Sequence, residues 1–120
     1  MSTSNPPHSA ITLDDVRAVS PALARYTQEA IADTLWQRPY LPARERSMVT
    51  LAGLIARNQT VGLLHYVNLA LDHGVTPGEI SEIVIHLAFY AGWPNAFSAV
   101  MVVKDVFVQR GIAIDQLPPV

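Results

Sequence analysis

The chain is expected to fold as an all-α, single-domain helical bundle of about six helices. Three observations predict this. Apolar residues recur at helical spacing, the segments between them begin and end on capping residues, and no stretch alternates apolar with polar as a half-buried strand would. At 120 residues the length suits one domain. Half of the residues are apolar and only 15% are charged, against roughly a quarter charged in typical soluble domains. A small body has too high a surface-to-volume ratio to hide that much apolar surface alone. An obligate homo-oligomer is therefore expected.

The elements follow from the punctuation. Residues 1–11 are rich in Ser, Asn and Pro, with no basic region followed by an apolar one, and read as a flexible arm rather than a signal peptide. The helical domain is expected over 12–120, in the cytoplasm. Thr12 caps a short helix over Leu13–Val19, with Asp14 and Asp15 favoured by the helix dipole. Ser20-Pro21 starts a second helix, expected to run to about Trp36. Arg38-Pro39-Tyr40-Leu41-Pro42 is a rigid link, because residues before proline avoid the helical region. A third helix spans roughly Pro42–Arg57, and a fourth about Val61–His73 with Gly74 as its stop. Thr76-Pro77-Gly78-Glu79 combines a capping threonine, a proline at the first position and a glutamate reaching back. It opens a fifth helix that ends at Ala91 before Gly92. Pro94 opens the sixth, which closes near Arg110 with Gly111 as its cap.

Composition also excludes functions. With no cysteine there is no disulfide, thiolate metal site or thiol redox chemistry. Basic residues are scattered, with no stripe to follow a phosphate backbone, so nucleic acid is not an expected partner. From Ile83 to Val103 no residue carries a formal charge, a length that would suit a membrane span. Gly92-Trp93-Pro94-Asn95 breaks it in the middle, so two buried helices around a tight turn are expected and no membrane contact.

Between Trp36 and Gly111 the chain resembles the carboxymuconolactone decarboxylase family. The likeness is carried by Trp36-Gln37-Arg38-Pro39, by Arg44 through Ala52 (RERSMVTLA), by His65 ahead of Ala70 and Gly74, by Thr76 through Ile80, and by His86-Leu87-Ala88-Phe89-Tyr90-Ala91-Gly92-Trp93-Pro94. It implies an alkylhydroperoxidase-D-like fold, assembly of dimers into a hexamer, and a decarboxylase acting on a small carboxylated lactone such as 4-carboxymuconolactone. The peroxidase branch of such folds places a Cys-x-x-Cys pair before its histidine. Here that region reads Asn58-Gln59-Thr60-Val61-Gly62-Leu63-Leu64-His65, so a thiol peroxidase is excluded. The N-terminal lead-in and Ala56 through Thr60 also depart from the decarboxylases' usual form, which leaves the substrate open.

Decarboxylation of such a lactone needs no metal or organic cofactor, since the electron pair left behind spreads through the ring double bond into the lactone carbonyl. The protein must supply a cation for the retained carboxylate, an apolar wall, a donor for the developing oxyanion and a proton. Arg46 is the candidate cation, because a guanidinium grips a carboxylate in a fork. His65 is the candidate proton donor. Glu45 is assigned as a catalytic partner that orients either of them or acts as a base. It reads equally well as a solvated first-turn carboxylate. His86, alone among apolar neighbours, contacts either the substrate or a neighbouring subunit. Trp36 and Tyr90 are candidate pocket walls that also read as packing residues. Arg38 and Arg44 read as surface or paired arginines. No metal site is expected, because His65, His86 and Glu45 lie on three helices without short ligand spacing. Two other readings stay open: a non-catalytic oligomeric binding protein, and an isomerase or cyclase on another small molecule.

Overall fold

Among the residues described by the computed structural model, 11–120, the chain forms six α-helices and no strand. The arm expected over residues 1–11 lies outside these residues apart from Ile11. The helices are α1 (Leu13–Val19), α2 (Pro21–Thr27), α3 (Ala43–Ala56), α4 (Thr60–Asp72), α5 (Pro77–Ala91) and α6 (Trp93–Gln109).

The capping residues set the starts. Thr12 and Asp15 exchange hydrogen bonds at the head of α1: the Thr12 hydroxyl accepts from the Asp15 amide at 3.2 Å, and the Thr12 amide donates to Asp15 Oδ2 at 2.9 Å. Ser20 ends α1 and its hydroxyl accepts from the Leu23 amide to start α2. Thr76 and Glu79 form the same reciprocal pair on α5, with Pro77 at its first position.

One expected helix differs. The segment from Pro21 does not continue as an α-helix to Trp36. It passes at Thr27 into a five-residue π-helical turn, Gln28–Ala32, and then a 3₁₀ turn, Leu35–Gln37. Polar side chains compete with the helical ladder here. The Thr34 hydroxyl takes the Glu29 carbonyl at 2.6 Å, Gln37 Nε2 takes the Ala32 carbonyl at 3.1 Å, and the Asp33 amide reaches Gln28 O five residues back. Apolar spacing alone does not register that competition.

Helices α3 to α6 make the bundle. α3 packs on α4 and α5, and α6 packs on α4 and α5. Leu51 and Ile55 from α3 meet Leu63, Val67 and Ala70 from α4, Ile80 from α5, and Ala99, Val102 and Val106 from α6. At the α5–α6 corner, Asn95 Nδ2 donates to the carbonyls of Ala56 and Ala91, tying the ends of α3 and α5 together. Arg110 clamps the end of α6 to α4 through Asn68 and Asp72. By contrast, α1 and α2 pack chiefly on each other. The radius of gyration, 15.2 Å, exceeds the about 13 Å of a compact chain of this size.

Gly92 is the hinge between α5 and α6. Its φ of 100° and ψ of 143° fall in a region open essentially to glycine alone. A Cβ there would meet only Pro94 Cδ at 3.8 Å, an ordinary contact, so a side chain is disfavoured by the backbone rather than by crowding. Gly92→Ala is expected to destabilise the fold by about 1–3 kcal/mol, measured as a lowered urea midpoint with an unchanged slope.

Candidate functional site

The candidate residues fall into two groups. The first surrounds the link before α3. Arg46 sits in the first turn of α3, its amide bonded to Pro42 O. Its Nη2 donates to the carbonyls of Arg38 and Leu41, both at 3.3 Å, and so pins the rigid link against the helix. Its Nε is buried and has no hydrogen-bond partner. Trp36, held just upstream in the 3₁₀ turn, stacks on Tyr66 and on His73, each at 6.1 Å between ring centres. His65 follows on α4, with its ring edge-on to Tyr66 at 4.9 Å. A continuous series of contacts thus runs from Arg46 through the link and Trp36 to Tyr66 and His65. No hydrogen bond or ion pair joins Arg46 to His65 among the described residues, and His65 is exposed on the single chain.

The second group lies between α3 and α5. Here a hollow of about 760 Å³ is lined by apolar Met48, Ala52, Ile83 and Leu87, with Thr76, Glu79, Glu82 and His86 as its polar groups and Pro118 of the C-terminal tail beside them. Tyr90 stacks on His86 at 4.8 Å, one helical turn on. Glu45 reaches this group indirectly. Its Oε1 pairs with Arg44 at 3.4 Å, Arg44 forms an ion pair with Glu79, and Glu45 Oε2 is buried without a partner. Neither Arg46 nor His65 lines this hollow.

Electrostatics mark one position. The Glu79 carboxyl is held below its ordinary range, first by the Thr76 backbone amide that it accepts from and then by Arg44. Arg44 is raised in turn, chiefly by its hydrogen bond to Glu79. A lowered carboxylate stabilises the fold above the ordinary value of 4.5, and loses that contribution as pH falls through the depressed folded value. Glu79→Gln keeps a capping acceptor but removes the charge. The variant is therefore expected to be less stable than the parent near neutrality and to converge with it in acid, followed by urea unfolding across pH.

A guanidinium with an unpartnered N–H, aromatic rings and an imidazole are groups that small-molecule acid chemistry uses. Among the described residues, no three His, Asp or Glu side chains gather as a metal ion would require. No helix is long and apolar enough to cross a membrane.

The family model described as "Carboxymuconolactone decarboxylase family" matches residues 21–105. The chain belongs to the carboxymuconolactone decarboxylase family. The match takes in α2 through most of α6 and so contains both groups of candidate residues. Among curated relatives, the chain is 35% identical over 83 residues to 4-carboxymuconolactone decarboxylase of Acinetobacter baylyi, covering 69% of this chain and 62% of that protein. It is 38% identical over 71 residues to nitrosuccinic acid decarboxylase of Metarhizium robertsii, covering 59% of this chain and 50% of that protein. The chain thus aligns with only half to three-fifths of the length of these relatives.

Several hollow-lining groups escaped the sequence. Glu79 was legible as a cap, but its bond to Arg44, 35 residues away, carries no local signal. Arg44, read in the sequence as a surface or paired arginine, pairs with both Glu45 and Glu79. Glu82 is one turn before His86, a spacing that marks a shared helix face and is the signal that could have found it. Pro118 lies 32 residues beyond His86 in the chain, a separation that carries no local signal.

Proposed function

We propose that this chain is a decarboxylase for a small dicarboxylate that carries its own electron acceptor, with 4-carboxymuconolactone as the substrate to test first. The buried, unpartnered Nε of Arg46 carries the reading. A guanidinium N–H left unsatisfied away from water is unfavourable, and a carboxylate arriving there would relieve it. The names of the two relatives support the class. Each named compound holds two carboxyl groups beside an electron-withdrawing group, a lactone conjugated through a double bond in one and a nitro group in the other.

In the lactone, the bond to the departing carboxylate breaks and carbon dioxide leaves. The electron pair moves through the ring double bond toward the lactone carbonyl, and a proton then adds to the carbon beside that carbonyl. Arg46 binds the retained carboxylate and His65 delivers the proton. Glu45 orients this pair, Trp36 and Tyr90 exclude water, and His86 is a further substrate contact. Because the substrate accepts its own electrons, the reaction asks no cofactor of the protein. The same reading takes the protein as a cytoplasmic homo-oligomer, dimers assembled into a hexamer.

The test is to incubate purified protein with 4-carboxymuconolactone and, separately, nitrosuccinate, following carbon dioxide release and the decarboxylated product. Turnover of either above buffer supports the class and ranks the substrates. No turnover of either at high enzyme concentration removes the proposal.

A further inference from the structure

The chain holds a second hollow that the candidate chemistry leaves unused. It is a trough of about 650 Å³, within the about 300–1,000 Å³ usual for small-molecule pockets, and none of Arg46, His65 or His86 lines it. Helix α5 supplies one wall through Val84 and Ala88, and α6 a second through Phe97 and Val100. The C-terminal tail supplies a third through Ile112, Ile114 and Leu117.

That third wall is held at both ends. After α6 the Ile112 amide donates to the Phe107 carbonyl at 2.9 Å. The Ala113 amide then donates to Gln116 Oε1 at 2.8 Å, and the Gln116 amide to the Ala113 carbonyl at 3.0 Å, which closes a 3₁₀ turn over Ile114–Gln116. Beyond the turn the tail lies against the start of α5. A Cβ at Gly78 would stand 3.5 Å from Pro118 Cδ and 3.7 Å from Gln116 O, so the tail rests directly on the glycine. The wall is ordered, yet its apolar side chains face water. Ile114 stays 85% exposed, Val108 70% and Phe97 65%. Covering such surface is favourable for any apolar body that fits between the walls.

Charge narrows what that body is. The polar side chains in the trough are Ser81, the Trp93 indole and Lys104. Lys104 is the chain's single lysine, it is exposed, and it forms no ion pair among the described residues. Asp105 and Asp115, its nearest acidic neighbours in α6 and the tail, do not line the trough. We infer that the trough binds a monocarboxylate with a long apolar body, a fatty acid being the simplest, with the chain between α5, α6 and the tail and the carboxylate at Lys104. A lysine suits that place, because its stem lies along apolar surface while the ammonium reaches the mouth. A doubly charged phosphate asks for more donors than one ammonium and one hydroxyl provide. A cationic amphiphile is repelled by Lys104. A membrane surface would call for a run of basic residues, which the sequence does not place here. This inference is independent of the decarboxylase reading, and its readout is affinity rather than turnover.

The experiment titrates the purified chain with decanoate, decanol and decyltrimethylammonium, each below its micelle concentration, by isothermal titration calorimetry, with circular dichroism as the check on folding. The parent is expected to bind one decanoate per chain and to prefer it to the other two. Lys104→Met keeps an unbranched apolar stem and removes the charge. It should weaken decanoate binding about fivefold and leave decanol binding unchanged. Ile114→Asp, at a side chain already in water, should keep the fold and weaken both ligands. No saturable binding of decanoate by the parent overturns the inference, as it would if another protein chain covered the trough. Equal decanoate affinity in the parent and Lys104→Met overturns it too, as does binding that Ile114→Asp leaves unchanged.

Discussion

His65→Gln is expected to lower kcat on 4-carboxymuconolactone by about a thousandfold, within the 10²–10⁴ range that a positioned general acid supplies. The fold should be unaffected, because His65 is exposed on α4 and contributes only an edge-on contact with Tyr66. KM should change little if the imidazole acts on the reacting carbon and not on the bound carboxylate. Deuterium oxide gives a second readout. When His65 delivers the proton, the carbon beside the lactone carbonyl receives deuterium on one face. In the variant, solvent supplies it to both faces. Unchanged kcat with undisturbed stereochemistry in His65→Gln would take the proton-donor role from this residue and turn attention to His86, the imidazole that lines the hollow between α3 and α5.

The fold was legible where a single residue decides a boundary. Thr12, Ser20 and Thr76 each cap the helix that the sequence assigns to them, and Gly74, Gly92 and Gly111 take the positive φ of helix stops. Those signals are local, so a one-dimensional reading captures them. The π and 3₁₀ turns after Thr27 were not legible. They depend on which of several polar side chains wins a backbone carbonyl, a balance of small energies that the presence of Thr34 or Gln37 does not reveal. Family likeness named the site candidates as one set spread over the bundle. It did not divide them, because the division between the Trp36 link and the α3–α5 hollow depends on how helices pack. The apolar excess in the composition has a location in the folded chain. Outside the core it is spread over α5 and α6 and over the segment that runs from Val19 to Tyr40.

Arg46 is expected to be the residue whose loss most weakens binding of the retained carboxylate. Arg46→Ala should lower kcat/KM by about 10²–10³, equivalent to roughly 3–4 kcal/mol of transition-state binding, since a charge-assisted fork to carboxylate is lost. That variant alone does not isolate the role, because the same side chain pins the carbonyls of Arg38 and Leu41 and so holds the link that carries Trp36. Some loss of stability should accompany it. Arg46→Lys separates the two effects. An ammonium keeps the positive charge and can still donate to one of those carbonyls, so the unfolding midpoint should stay near that of the parent. It has no Nε and no planar fork, so most of the activity should still be lost, chiefly through KM for the dicarboxylate. Added guanidinium should restore part of the activity of Arg46→Ala by occupying the vacated position beside the link. Parent-like kcat/KM in Arg46→Lys would show that positive charge alone is required. Parent-like kcat/KM in Arg46→Ala would reduce this arginine to a clamp on the Arg38–Leu41 segment, and the retained carboxylate would then need another cation.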